Sequence, residues 1–494
     1  LSRRTRADRR FEGGLQTGTD PQIKRVAVIG GGITGLAAAY RLRELAVARE
    51  FPLEVNLLER DARCGGALET IRRDGFVIET GADSFISEKR ACAELAARIG
   101  LDAELIPTRE IYRKTYVVRA GRLVEIPAGF SLIAPAHLGP VFRSSLFSPL
   151  GKLRIALEPF IAARTSGDDE SLDSFVTRRL GREVLARVAQ ALAGGIYTAD
   201  PKRLSMTATM PRFVEMERRH GSVVKGMRAA EIARASKSPD VSGARWSMFQ
   251  SFTNGMSTLP ETLVARLGGS IRKSAEVVAM SRNGNTWRLA TSGGDSIDAD
   301  AVICAAPAYA ATRILATSSP VAAKMLAEIS YASAATVNLT FRESDFDGPP
   351  RAFGFVVPAS EHRRIIAGSF SSFKFEGRAP AGSILARAFV GGEMSRQMMS
   401  LSDIEMVAAV GDEFRALLGV SAAPGFAEVR RWPDSMPQYE VGHLTRVAEI
   451  ERAVAEIPAF AIAGAAYRGV GIPDCIRSGE DAADAIFAKV SSPK

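Results

Sequence analysis

Gly30, Gly32 and Gly35 stand in the spacing Gly-x-Gly-x-x-Gly, and Glu59 lies 24 residues beyond the last of them. Backbone N–H groups in such a turn can meet a diphosphate, and an acid placed beyond it can take ribose hydroxyls. The first glycine makes the tight turn, the second lets the backbone approach the ligand, and the third lets a helix pack on a strand. The elements that must hold these residues flank them. Lys24-Arg-Val-Ala-Val-Ile29 is a short apolar run that predicts a buried parallel strand. Leu36, Ala37, Ala38, Ala39, Tyr40 and Leu42 follow a helical period, and Leu53–Leu58 is a second strand with Glu59 at its carboxyl end. A helix N-terminus then faces the diphosphate with free N–H groups and the positive end of its dipole. Gly30, Gly31, Gly32, Ile33, Thr34, Gly35 and Glu59 are the expected dinucleotide contacts.

Arg60-Asp-Ala-Arg-Cys-Gly65-Gly66 places a glycine pair soon after the acid. Leu68–Arg72 and Phe76–Thr80 read as a hairpin around Asp74-Gly75, and Gly81-Ala-Asp-Ser-Phe85 follows. At the far end, Ile457–Ala463 is an apolar strand, Gly464–Pro473 a glycine-rich turn, and Asp474–Val490 a helical pattern. That second helix N-terminus would favour negative charge on a reduced ring beside it. Mid-chain, Phe252–Pro260 leads into a helix at Glu261–Leu267, with strand-like runs at Glu276–Met280, Thr286–Leu289 and Ala301–Cys304.

An acid, a glycine pair and a hairpin in this order are similar to the flavin oxidases related to glutathione reductase and amine oxidase. The resemblance implies FAD, and adds Arg60, Arg63, Gly65, Gly66, Ala67, Gly81, Ala82, Asp83, Ser84, Gly464, Ala465, Val470, Gly471 and Ile472 to its contacts. Val277 is the expected adenine neighbour. The expected fold class is α/β: a Rossmann-like FAD-binding domain of glutathione-reductase and amine-oxidase type, an inserted α+β substrate domain, and a helical lobe. The expected boundaries are a disordered basic tail at 1–22, an FAD domain from 23–88, 245–310 and 457–490, a helical lobe at 89–210, and a substrate domain from 211–244 and 311–456.

Composition narrows the function classes. The chain has 494 residues, is 46% hydrophobic, and carries a net charge of +9, with seven basic against three acidic residues in its first 25. The remainder is too balanced to demand a nucleic-acid groove, so none is expected. Cys64, Cys92, Cys304 and Cys475 are too scattered for a disulfide framework, and with His137, His220, His362 and His443 give no metal spacing. A cytoplasmic chain is the expectation. The stretch Ile126–Phe142 carries no charge but holds three prolines, which argues against a membrane span. With Leu146, Phe147 and Leu150 it reads either as buried core or as a surface that dips into a bilayer.

From about Val26 to Ala488 the sequence resembles the oxygen-dependent protoporphyrinogen and coproporphyrinogen oxidases of haem synthesis. Ala193–Pro201, Phe389-Val-Gly-Gly392, Trp432 with Met436–His443, and Ala463–Gly479 carry it, the last most specifically. The resemblance implies six-electron oxidation of a porphyrinogen, with O2 as acceptor and H2O2 as product. It implies peripheral membrane contact and allows a handover of product to ferrochelatase. It implies that Gly195 orients a pyrrole N–H and that Val356 and Phe389 sandwich the macrocycle. Ser369 departs from the family's bulky apolar residue. Arg113 and Lys114 are the nearest match to a propionate clamp, with Lys374 and Arg378 as further anchors. Rival readings are an amine oxidase, a carotenoid desaturase and a non-catalytic flavin- or porphyrin-binding protein.

Overall fold

The computed structural model describes residues 23–237, 248–349, 351–393 and 395–492, so the expected tail at 1–22 lies outside the described residues. Lys24–Ile29 is the middle strand of a five-stranded parallel sheet. Leu53–Leu58 and Ala301–Cys304 flank it, and Ile271–Arg272 and Phe460–Ile462 form the edges. Both faces of such a sheet are covered, which is why Val26, Ala27 and Val28 are all aliphatic and fully buried. The helices Ile33–Ala48, Thr258–Leu267 and Ile472–Ser491 cover one face. The other is covered by the antiparallel strands Val277–Asn283, Thr286–Thr291 and Ser296–Ala299 and by the helices Ala308–Leu315, Pro320–Ala327 and His443–Ala455. The two ends of the chain therefore meet in one sheet, with Ala301–Cys304 between them.

A second sheet has seven strands, in the order Ala427–Pro437, Tyr331–Arg342, Ser383–Gly391, Ala367–Phe370, Gly354–Val356, Thr115–Arg119 and Arg122–Glu125. One face packs on the helix Asp403–Leu418, which starts in a reciprocal cap between Ser402 and Glu405. The opposite face carries Val356, Ala367 and Phe389 and meets a helical lobe. That lobe buries Phe147, Phe175, Leu180, Val188 and Phe213 around a fully buried ion pair, Arg179 with Glu158. The Glu158 carboxylate also accepts the N–H groups of Val223 and Val224, so the charge sits at a helix start with its lone pairs filled.

Packing divides the lobes differently from the sequence boundaries. Pro211–His220 and Val223–Lys237, expected in the substrate domain, bury Phe213, Val223 and Val224 in the helical lobe. Thr115–Arg119 and Arg122–Glu125, expected in the helical lobe, complete the substrate sheet. Ala91–Arg98 buries Cys92, Leu95 and Ala96 against the nucleotide-domain helices. An amphipathic period reports that a face is buried but not against which core, and strand pairing across long separations leaves no local mark. In and just after the uncharged stretch, Ile133, Val141, Leu146 and Phe147 are core, whereas Phe142, Leu150, Leu153, Leu157 and Phe160 are exposed. Among the described residues no helix is long and apolar enough to cross a membrane.

Candidate active site

The strand Lys24–Ile29 ends at Gly30, whose φ of +103° places it where L side chains rarely go. A Cβ on Gly35 would lie 1.9 Å from Gly30 O, so only glycine lets the helix start this close to the strand. Gly32 caps that helix without a side-chain bond, and a Cβ there would meet nothing within 4 Å. The turn is thus tight on the protein side and open on the other, which fits a diphosphate taken by backbone N–H groups. Gly31 N–H donates to the Glu59 carboxylate, and Gly65 N–H donates to Gly31 O at 2.8 Å, so the acid and the glycine pair close on the turn.

The closing segment meets the same place. The helix Ile472–Ser491 starts at Gly471, again without a side-chain cap. Gly479 lies against the first helix, where a Cβ would come within 2.2 Å of Thr34 O. Cys475 and Gly479 both meet Thr34, so the first two turns of this uncapped helix pack on the uncapped N-terminus of the first. Gly464 and Ala465 lie in the loop between strand and helix, with Gly464 N–H donating to Ser478 Oγ at 2.9 Å. Val470 and Gly471 are the last residues before the helix. Ala275 N–H donates to Glu59 O at 2.8 Å, which places Val277 near the end of the second strand. This open turn, its acid and the paired helix ends suit the two charged halves of an FAD.

Several expected contacts are engaged with protein groups. The Arg63 guanidinium donates to the carbonyls of Cys64, Gly66 and Leu68, bracing the glycine-pair loop around Ala67. Arg60 pairs with Asp61 on the surface. Gly81, Ala82 and Ser84 form the turn beyond the hairpin, and Ala82 N–H donates to Ala67 O. The Asp83 carboxylate in that turn points at the second sheet, taking Lys374 Nζ at 2.9 Å and an Arg387 Nη at 3.1 Å. Burial opposes its ionisation, but these two cations outweigh it and hold the carboxyl well below its usual range. Arg378, nine-tenths and more buried, donates to Ser251 Oγ and to the carbonyls of Phe252 and Thr253. Lys374 and Arg378 are therefore struts between the two domains.

On the other wall, Gly195 lies in the last turn of the helix Gln190–Tyr197. A Cβ there would sit 4.0 Å from both Val356 Cγ1 and Ala367 Cβ. Phe389 is in register with Ala367, and the Arg387 guanidinium covers its ring at 4.5 Å. Gly195, Val356 and Phe389 thus converge. Ser369 faces Arg387 across the strands, and its buried Oγ has no hydrogen-bond partner. Arg113 and Lys114 pair with Glu110 at 3.1 Å and Glu125 at 3.6 Å, half exposed where the chain enters Thr115–Arg119. Arg387 went unnoticed in the sequence. The alternation of polar Thr336 and Asn338 on a buried strand was the available signal that one sheet face serves another domain. The buried Cys475 thiol is pushed up to about 12 by burial, so it stays protonated and is a poor nucleophile.

Comparison with known proteins agrees with this geometry. Residues 33–487 match the flavin containing amine oxidoreductase family. The chain is 34% identical over 461 residues to coproporphyrinogen III oxidase of Bacillus subtilis (strain 168), covering 93% of this chain and 97% of that one. It is 29% identical over 499 residues to protoporphyrinogen oxidase 2 of Arabidopsis thaliana, covering 95% of each. A solved candidate protoporphyrinogen oxidase from Exiguobacterium sp. 255-15 superposes with a TM-score of 0.83 at 30% identity, over 94% of this chain and 99% of that one. An open glycine turn with its acid, a second helix end beside it and a match running almost the full length lead to one conclusion: this chain belongs to the flavin-containing amine oxidoreductase family.

Proposed function

We propose that this chain is an FAD-dependent oxidase that converts a porphyrinogen, with coproporphyrinogen III favoured, to the porphyrin. The observation that carries the reading is the convergence of Gly195, Val356, Ala367 and Phe389 on one apolar face next to the flavin seat. The curated relatives named coproporphyrinogen III oxidase, at 31–34% identity, support the choice of substrate over the relatives named protoporphyrinogen oxidase, at 26–30%.

A porphyrinogen becomes aromatic by losing six electrons as three hydrides from meso carbons and three protons from pyrrole nitrogens, and a proton shift from the fourth meso carbon to a nitrogen completes the net loss of four meso and two N–H hydrogens. FAD supplies the two-electron acceptor. Gly32, Ile33, Thr34 and Gly35 would hold its diphosphate on a turn shaped by Gly30 and Gly31, Glu59 would hold its ribose, and Gly464, Ala465, Val470, Gly471 and Ile472 its ring end. The protein's remaining task is to place a flat apolar disc and exclude water. Gly195 stands where helix carbonyls have no partner within the helix, so its oxygen is free to accept a pyrrole N–H. Val356 and Phe389 stand side by side on one sheet face with Ala367 between them, so the expected sandwich becomes a single wall on which Phe389 stacks against a pyrrole face. Arg113 and Lys114 meet the propionates. O2 is the terminal acceptor. The exposed Leu150, Leu153, Leu157 and Phe160 rest on a membrane surface.

The test is steady-state oxidation of coproporphyrinogen III and protoporphyrinogen IX by FAD-loaded protein, with peroxide counted. Three peroxides per porphyrin, and a higher kcat/KM for coproporphyrinogen III, are expected. Turnover of neither substrate overturns the reading.

A further inference from the structure

The segment Gln438-Tyr-Glu-Val-Gly-His443 has no part in the site described above, yet its groups touch the turn that carries Gly195, the helical lobe and the closing loop. Gln438 Nε2 donates to Tyr197 O at 3.2 Å, in the turn that carries Gly195. Ser205 N–H donates to Tyr439 O at 2.8 Å and Gly442 N–H to Asp169 Oδ2 at 3.0 Å, which ties the segment to the helical lobe. The Tyr439 hydroxyl donates to Ala465 O at 2.6 Å and accepts from Gly469 N–H at 2.8 Å. His443 Nε2 stands 2.8 Å from Tyr467 O. A carbonyl only accepts, so the proton of the neutral ring is on Nε2. Burial lowers the imidazole pKa, which keeps the ring in that neutral form. The two rings stack with centroids 3.9 Å apart and 15° between planes, and both are essentially inaccessible to solvent.

Two stacked side chains thus take three alternate backbone groups of the loop that enters the closing helix: Ala465 O, Tyr467 O and Gly469 N–H. We propose that Gln438, Tyr439 and His443 are positioning residues that brace the closing loop, residues 464–471, against the turn bearing Gly195. The inference rests on the flavin seat proposed above. The brace fixes where the positive end of the helix Ile472–Ser491 points, and so how tightly the flavin is held and how readily it is reduced. None of the three residues touches substrate in this account.

The test reads the flavin without porphyrinogen. FAD is titrated into stripped protein by fluorescence quenching, and the flavin midpoint potential is measured by photoreduction against a reference dye, for Tyr439→Phe, His443→Leu and His443→Gln. Tyr439→Phe and His443→Leu are expected to raise the Kd for FAD at least about tenfold, the consequence of unpairing a buried backbone group. Both are expected to lower the midpoint potential, because the helix end no longer faces the reduced ring. His443→Gln keeps an N–H donor and is expected to stay within about threefold of the parent Kd. Tyr439→Phe removes a single oxygen and decides the matter alone if the leucine variant does not fold. Parent-like Kd and potential in Tyr439→Phe, whatever its melting temperature, would reduce the segment to ordinary scaffolding and overturn the proposal. Failure of the parent to oxidise porphyrinogens leaves these readouts intact, so the two ideas fail separately.

Discussion

Gly479→Ala puts the meeting of the two helix ends to a test of sign. Gly479 sits inside the helix Ile472–Ser491, where alanine on intrinsic grounds stabilises by about 1 kcal/mol. Here the added Cβ would lie 2.2 Å from Thr34 O, 3.1 Å from Thr34 C and 3.3 Å from Ala38 N. All three atoms are backbone of the first helix, so no side-chain rotation relieves the overlap. Ordinary contact begins near 3.4 Å, and one helix must retreat by about 1 Å. Overpacking of this kind costs about 1–3 kcal/mol and here exceeds the propensity gain. The retreat also separates the uncapped ends at Gly32 and Gly471. Urea unfolding of the stripped protein should show a net loss of stability, and fluorescence titration a weaker FAD complex by about tenfold or more. A variant that is more stable than the parent and binds FAD equally well would refute the claim that these helices jointly seat the cofactor.

Three further perturbations probe the domain contact and the substrate wall. Asp83→Asn leaves the Lys374 and Arg387 cations buried without their counterion, and should cost about 3–5 kcal/mol in urea unfolding; an unchanged midpoint contradicts the strut. Glu79 is pushed from 4.5 up to about 7 by burial, against the pull of the Arg378 guanidinium and the Met256 N–H. Across that window the folded state holds a proton the unfolded state has released, so stability falls as pH rises, by about 3 kcal/mol in all. Glu79→Gln should flatten that slope, and a slope equal to the parent's would exclude Glu79 as its source. Gly195→Leu fills the space before Val356 and Ala367, and should reduce porphyrinogen turnover at least about hundredfold with full flavin content, whereas Gly195→Ala, whose Cβ keeps 4.0 Å from both, should stay within about tenfold. Equal turnover of the leucine variant would move the substrate elsewhere.

The middle strand of the nucleotide sheet was legible because Val26–Ile29 is a continuous aliphatic run ending in a glycine that local sterics demand, whereas the two-residue edge strand Ile271–Arg272 left no pattern to read. Phe460–Ile462 proved shorter than the apolar run Ile457–Ala463, and Ser296–Ala299 was missed because four residues are too few to show a period. The hairpin Thr70–Arg73 with Phe76–Glu79 followed directly from Asp74-Gly75. Charged residues were the weak point. Lys374 and Arg378 looked like solvated anchors, yet Arg378 is among the most buried side chains, because its hydrogen-bond partners at Ser251, Phe252 and Thr253 are distant in sequence. Arg387 and Asp83 meet only through the docking of two domains. Gly195, Val356 and Phe389 carry no local signal at all; they came from the family resemblance, and it is the pairing of Ala367 with Phe389 that brings them to one face.

The central claim is that one seat for FAD faces one wall for a porphyrinogen. It is tested most directly by mixing FAD-loaded protein with coproporphyrinogen III in the absence of oxygen and following the flavin band near 450 nm. The account predicts that the band bleaches within the mixing time or seconds after it, and returns on admitting air. A band that persists in the presence of excess porphyrinogen, in protein with full flavin content, would contradict it.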